Sequence, residues 1–572
     1  NCRYHNASSI GGSTSFDDFE FKFTLSTATT MNISINNGAE VFDITLNNEN
    51  ITGYSVYIMD DWNGSANNNI FWKPTTEYVY ANVWDGSINN DWATVANWSS
   101  NSVPTGSSNV RIPGTGITNY PTASAAVTID NGYIESGATL IAQDAFTGTI
   151  TYERNLGTTN WYMVSSPVIG ETIQDLISNH TFATGTDPNI GIAPYINDGT
   201  AWSYQTTAST GTLNSGQGYS VRLATAGNIS FTGAMPVADI GVAITTNTNG
   251  FNLIGNPYPS YIPANTPADG TNNILTINTA SLTEDTLWLW NQATDSYDQV
   301  NHAVSKFIAP AQGFFVSSNG SNTFNFTEAM QSHQGTDNFQ RTETTRPEIN
   351  LVMTDGSITR DADIFYIDGT TTGFDNGYDS SIFGGVSHSF AVFTETIANG
   401  NGKRLGIQSL PNSDLESMVI PVGVIADAVE ITFSAVALNL PTGIKVFLED
   451  RTTNTFTHLD EANSEYKITL SEALNGIGRF YLHTKASVLA LNDVTLENVS
   501  IYKTNNSTLR VVGLSQGKTN VKLFNILGKQ VLNTSFKSNG VSEISLPKLA
   551  TGVYIVQLEN KAGKLNKKIV LE

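Results

Sequence analysis

The sequence predicts an all-β chain assembled from several modules, and three observations carry that prediction. At 572 residues the chain is too long for one hydrophobic core, because single domains run to roughly 100–200 residues. Charged residues make up only 14% of it, against about 25% in ordinary soluble domains. Asn, Thr, Ser and Gly fill the gap, and these suit turns and the solvent faces of strands better than long helices. The third observation is alternation: apolar and polar residues exchange at period 2 through most of the chain.

From the N-terminus, residues 1–83 read as a β region, with "FEFKFTL" (Phe19 to Leu25) and "YSVYIM" (Tyr54 to Met59) as strands. Residues 84–156 open with "WDGSINNDWATVANWSSNSVP", three tryptophans without period, which predicts a compact loop folded around indole rings. The short Gly-broken strands after it, such as "VRIP" and "GTITYERNL", suit a few rungs of a parallel β-solenoid. Residues 157–245 and 246–330 read as two copies of one β unit. "NWYMVSSPVIG" is answered by "GFNLIGNPYPS" and "GQGYSV" by "AQGFFV"; offsets at Pro167/Pro257, Tyr204/Tyr297 and Gln217/Gln312 are 90, 93 and 95 residues. The polar stretch 331–348 reads as a linker. Residues 349–490 carry eight strand-like runs expected to form a β-sandwich or jelly roll. One helix is expected, at "GETIQDLIS", Gly170 to Ser178.

The last block, 491–572, differs in charge. From Val499 to Glu572 there are eleven Lys/Arg and three Asp/Glu, a net of +8, against a whole-chain net of −23. The preceding residues therefore hold a net of −31. An acidic body argues against nucleic acid, whose binding needs Lys and Arg to neutralise phosphates. No run of eighteen apolar residues exists for a spanning helix. Irregular turns and unpaired aromatics argue against a membrane barrel. The lone Cys2 excludes an internal disulfide framework. Starting at Asn1, with neither Met nor a signal-peptide pattern, the sequence reads as a mature or trimmed product.

The ending "VKLFNILGKQV…ISLPKLATGVYIVQLENKAGKLNKKIVLE" resembles the type A C-terminal sorting domain of cargo carried by the type IX secretion system of Gram-negative bacteria. The marks of the resemblance are Gly528 before "KQV", the run Leu546, Leu549, Gly552, Val553 and Tyr554, and the pair Lys567 and Lys568. "IYKTNN" (Ile501 to Asn506) stands where the family commonly has Pro-Asn-Pro. The resemblance implies an Ig-like module read by the outer-membrane type IX translocon and its associated shuttle or attachment barrel. It also implies delivery to the outer-membrane cell surface or the extracellular space. "FNLIGNPYPS", "IAPAQGFFV", "GFDNGYDS" and "GIGRFYLH" are similar to phrases in large surface proteins exported this way.

Chemistry is thinly written. "GLSQG", Gly513 to Gly517, matches a nucleophile elbow, but a strand follows it and no histidine lies beyond His483, so it reads as a hairpin turn. The seven histidines show no zinc spacing. In "RDADIFYIDGTTTGFDNGYDSS", Asp363, Asp375 and Asp379 are the carboxylates that could wrap calcium, an oxygen-seeking cation; the structural alternative is a set of Asx-turns. Asp60 and Asp61 make a weaker cluster of the same kind. Trp202, Trp288, Trp290, Tyr204 and Tyr297 would stack on sugar rings if exposed, and would otherwise belong to the core. The reading is a secreted, non-catalytic surface protein engaged in adhesion, with a glycan or other surface ligand. The alternative is a polysaccharide hydrolase or carbohydrate-binding protein with accessory modules.

Overall fold

A computed structural model describes residues 82–198, 201–334, 346–400, 402–485, 499–505, 507–560 and 563–571, and the backbone of five earlier strands. Cys2, the Asp60–Asp61 cluster and most of the 331–348 linker lie outside the described residues. The chain is all-β, as its composition predicts. It divides into two compact units, Asn1–Ala138 with Asp144–Thr151, and Thr139–Gln143 with Tyr152–Glu572.

In the first unit, Phe21–Thr27, Thr30–Ile35 and Glu40–Thr45 form an antiparallel sheet, and Tyr54–Ile58 pairs with Ile70–Pro74. Asn82–Val83, Asn109–Ile112 and Val127–Ile134 then stack in parallel. That is the pairing of solenoid rungs, and like residues meet across it: Asn131 Nδ2 donates to Asn109 Oδ1 at 3.0 Å. The indole loop forms as predicted. Trp98 meets Trp84 and Trp92 edge-on at 4.9 and 4.7 Å, and all three are buried. Each contributes about 1.5–3 kcal/mol by leaving water, and edge-to-face contact adds about 0.5–1.5 kcal/mol per pair. Gly86 closes the loop at φ +56°, its α-carbon so near Asn119 that a β-carbon would lie 2.2 Å from the Asn119 carbonyl oxygen.

The second unit begins with two sheets of the same topology. The first holds β1 (Tyr162–Ser165), β2 (Ile192–Ile196), β3 (Ala201–Trp202) and β4 (Gly218–Val221), in the order β1-β4-β2-β3. The second holds β5 (Phe251–Gly255), β6 (Leu287–Asn291), β7 (Ser296–Val300) and β8 (Gly313–Ser317), in the order β5-β8-β6-β7. Register corresponds too: Ser165 faces Gly218 and Tyr162 faces Val221, while Gly255 faces Gly313 and Asn252 faces Val316. By cross-strand pairing, Trp202 rather than Tyr204 stands where Tyr297 does. Helix α1 (Ile173–Asn179) is capped by Thr172, whose hydroxyl accepts from Asp175 N. A second helix that the sequence reading leaves out, α2 (Ile274–Asn278), is capped by Asn273 in the same way. Its five residues are too short to show a helical period.

The two sheets meet reciprocally. Ser165 N donates to Ala311 O at 3.1 Å, and Gly255 N to Gly216 O at 2.9 Å. Ala311 and Gly216 both have positive φ. Gly218 and Gly313 allow the approach: a β-carbon on Gly218 would lie 2.6 Å from Leu253 Cγ, and one on Gly313 would lie 3.0 Å from the Met163–Val164 peptide.

From Glu348 to Lys485 eleven strands, not eight, form one continuous sheet curled around a single core that includes Leu351, Ile364, Val422, Phe433 and Leu482. The three extra strands are Ser380–Ser381, Val419–Ala426 and Thr455–His458. A register shift between Val422 and Val424, opposite Gly476 and Gly478 at positive φ, bends the sheet where two packed sheets were expected. Its outer wall is made by β9 (Glu348–Thr354), β10 (Thr359–Tyr366) and β11 (Leu405–Leu410).

The tail has five strands: β12 (Ser500–Asn505), β13 (Thr508–Asn525), β14 (Gln530–Ser545), β15 (Gly552–Asn560) and β16 (Gly563–Leu571). β13 kinks at Gly513 and β14 at Gly540, both at positive φ. Before its kink β13 pairs with β12; after it, with β15. "GLSQG" is therefore a bulge inside β13 and not a hairpin turn, because the ladder with β14 resumes at Gly517.

Substituting Gly218 by Ala should lower the thermal stability of the second unit by about 1–3 kcal/mol, the usual cost of overpacking. Gly227, with open space around its missing β-carbon, should accept Ala with little change; equal melting shifts for the two variants would refute the sheet-contact argument.

Candidate functional site

A segment of the curled sheet's loop fastens the second four-stranded sheet to it. Asn376 Oδ1 accepts from Asp285 N, Gly377 O from His302 N, and Tyr378 O from Asn301 Nδ2, all within 2.9 Å. Ser380 Oγ bonds Asn301 Nδ2 and Thr286 Oγ1, and Ser381 O accepts from the Trp288 indole at 2.8 Å. Gly377 needs its glycine, since a β-carbon would stand 2.8 Å from the His302 ring. Beyond it, buried Phe383 packs among Phe251, Trp288, Tyr297 and Phe315. Lys403 ion-pairs with Glu284 and lies 4.1 Å over Phe374.

Asp379 holds this strap in shape. Its side chain is fully buried, and its carboxylate accepts from Ser409 N at 2.6 Å and Asp375 N at 2.7 Å. Burial pushes its pKa up to about 7, against the opposing pull of those two amides. Asp375 in turn accepts from Thr371 N and Thr371 Oγ1. Of Asp363, Asp375 and Asp379, the carboxylates expected to wrap calcium, only the last two lie together. Asp375 accepts from the amide and hydroxyl of Thr371, four residues before it, Asp379 accepts from the amides of Asp375 and Ser409, and Asp363 lies apart from them on β10. Among the described residues, no three His, Cys, Asp or Glu side chains gather as a metal site.

The fastening leaves a cleft with two adjoining cavities of about 570 and 510 Å³. One wall is β7, with Asp298, Gln299 and Val300; the other is β9 to β11, with Asn350, Asp363, Phe365 and Ile407. The wall follows from strand period: Leu351, Ala362 and Ile364 point into the core, so Asn350, Asp361 and Asp363 share the opposite face. Asn350 Nδ2 bridges the two carboxylates, at 2.7 Å to Asp361 and 2.9 Å to Asp363. Burial raises Asp363 to about 6, despite the Asn350 bond that lowers it. Asp298, open to the cleft, is also raised, chiefly because the cleft walls exclude water from it. Arg346 stacks 4.0 Å over Phe365, and Arg360 donates to Thr294 O and Asp295 O across the gap. The cleft thus offers carboxylates and amides beside an apolar floor, a lining suited to hydroxyl-rich ligands. Asp298 and Asn350 went unnoticed in the sequence; the alternation in "RDADIF" was the available signal for Asp361 and Asp363 as neighbours on one face.

Of the proposed sugar-stacking rings, Trp288 is 1% exposed, Trp202 and Tyr297 are half-buried in the same aromatic cluster, half-buried Trp290 meets Tyr297 at 5.0 Å, and Tyr204 is 43% exposed. The described histidines are engaged: His483 bonds Glu449 and His388 bonds Phe383 O.

In the tail, the motif residues divide into interior and surface. Leu546, Leu549 and Tyr554 join a core drawn wholly from the tail's own residues. Tyr554 OH donates to Ala550 O at 2.8 Å, tying the start of β15 to the turn before it, the arrangement known as a tyrosine corner in Ig-like domains. Gly552 and Gly528 both have positive φ. Val553 is half-buried. Gly528 turns the hairpin after Asn525, whose Oδ1 accepts from Leu527 N and Lys529 N. At that tip Ile526 is 75% and Leu527 86% exposed. Lys567 and Lys568 are exposed on β16, which ends its sheet. Comparison with known families decides what this module is: residues 494–572 match the secretion system C-terminal sorting domain.

The chain is a cargo protein of the type IX secretion system. Its tail engages that system's machinery and directs export to the cell surface or the extracellular space. Residues 279–483 of this cargo match a domain family of unknown function, DUF8693, and that span contains every residue lining the cleft. No curated protein matches the chain. Among the described residues, no helix is long and apolar enough to cross a membrane.

Tyr554→Phe, which removes one hydrogen bond from the tail, should cost about 0.5–1.5 kcal/mol of tail stability, measured by denaturation, while Lys568→Ala on the surface should stay within about 0.5 kcal/mol. The raised Asp379 favours the folded state most below pH 4, and that contribution is lost as pH rises through about 7. Asp379→Asn should therefore flatten the fall of melting temperature between pH 4 and 7 relative to the parent; parallel profiles would show that Asp379 does not titrate there.

Proposed function

We propose that the exported body is a non-catalytic adhesive protein whose ligand, a hydroxyl-rich surface glycan, occupies the cleft between β7 and β9 to β11. The observation that supports this is the lining itself. Asn350, Gln299, Asp298 and Asp363 supply donors and acceptors from two facing walls, over the apolar surface of Phe365 and Ile407. Such a few-polar, part-apolar lining is the usual composition of a small-ligand site. The two similar sheets ahead of the curled sheet are read as a duplicated β unit, of which the second copy became one wall of the cleft. In the same reading, the tail docks on an outer-membrane barrel that attaches the body to the Gram-negative surface, and copurification of the intact chain with such a barrel tests that step.

A hydrolase is the second reading, favoured by Asp363, whose pKa of about 6 suits a proton donor. Binding of the purified chain to a glycan array separates the two. Adhesion predicts retention of intact glycan, lost or weakened at least about tenfold in Asn350→Ala, since that side chain holds both carboxylates in place. Release of shortened glycan, abolished by Asp363→Asn alone, would replace adhesion with hydrolysis.

A further inference from the structure

We propose that the first of the two similar sheets carries a second ligand site, distinct from the cleft, which takes a carboxylated sugar ring. The loop between α1 and β2 folds back as a small hairpin, with Gly185 N donating to Asn189 O and Gly191 N to Ala183 O. Together with the start of β1 and the end of β4 it encloses a cavity of about 260 Å³, lined by Trp161, Thr184, Thr186, Asn189, Tyr204 and Arg222 among others. The space is that of one small ring rather than of a long polymer.

The lining has the groups that recognise a sugar acid. Trp161 and Tyr204 stand 6.0 Å apart with their planes at 60°, forming an open aromatic corner. Tyr204 is exposed, unlike the tryptophans of the buried cluster, so packing does not explain its ring. An aromatic face of this kind covers the C–H face of a pyranose. Arg222 Nε donates to Thr159 O at 2.8 Å, which fixes the plane of the guanidinium. Its two terminal nitrogens have no hydrogen-bond partner among the described residues, nor have the side chains of Thr184, Thr186 and Asn189. A pre-oriented fork with two free terminal nitrogens matches a carboxylate in bidentate fashion, one N–H from each. No Asp or Glu lines the cavity, although the body ahead of the tail carries a net of −31. One cation in an acidic body suits a single carboxylate and disfavours a polyphosphate. Hydroxyls and an amide around the fork then serve the ring's own hydroxyls.

The test is calorimetric titration of the full chain with three probes: oligogalacturonate, its methyl ester, and a neutral galacto-oligosaccharide. The acid form should bind at least about tenfold more tightly than the other two, the scale of a charge-assisted bidentate contact. Arg222→Gln should bring the acid down to the level of the ester, and Tyr204→Ala should weaken all three probes, with unchanged melting temperatures because both side chains are exposed. Equal affinity for the three probes, binding of none, or binding unaltered by both substitutions would overturn the assignment. Acid binding that vanishes in Asn350→Ala but persists in Arg222→Gln belongs to the cleft and would overturn it as well, while leaving the adhesive reading standing.

Discussion

The body's architecture turns on one buried carboxylate. Asp379 accepts two main-chain amides, and through them the strap from Asp375 to Ser381 keeps the shape that fits the second sheet. Across the junction, the bonds from Asn376, Tyr378, Ser380 and Ser381 join main chain to side chain or two side chains, while Gly377 to His302 is a main-chain pair. The strap sets the distance of β7 from β9 and β10 together with Arg360, which bonds Thr294 O and Asp295 O across the gap. A charge placed out of water is costly. Here that cost is offset by the amides and partly relieved by proton uptake, which ties the junction to pH.

Fold class was legible from sequence because strand periodicity survives in isolated segments. The likeness of the two four-stranded sheets was legible because phrases around prolines and glycines mark places where backbones approach. Strand count was less so. Val419–Ala426 carries Pro421 within an apolar run, and a proline there argues locally against a central strand. The bulges in β13 and β14 hide in the sequence, since a glycine at positive φ looks the same whether a strand turns back or only kinks. The closure of the eleven strands into one curled sheet is hidden for the same reason: its bend is made by a register shift opposite Gly476 and Gly478, and a glycine does not announce a bulge.

The candidate sites were the least legible part. Asp363 and Asp379 are sixteen residues apart and were grouped as one cluster, yet one faces a cleft and the other is interior. Sequence proximity in β structure says little about which side of a sheet a carboxylate occupies unless the strand's phase is known. Asp298 and Asn350 became neighbours only through the strap, a tertiary contact with no local signature. Tyr204 and Arg222 are a similar case: the hairpin before β2 brings them together, and nothing in their spacing announces it.

The tail's signature residues have a different lesson in them. Leu546, Leu549 and Tyr554 are occupied with holding the module together, while the exposed features are the Ile526–Leu527 tip and the lysines of β16. The part of the address that is hidden inside reaches a reader only as a shape, while Gly528, Lys567 and Lys568 meet it directly. Damage to its interior would erase the destination as surely as damage to its face, and a transporter reading the outside would in effect be inspecting whether the inside had finished folding.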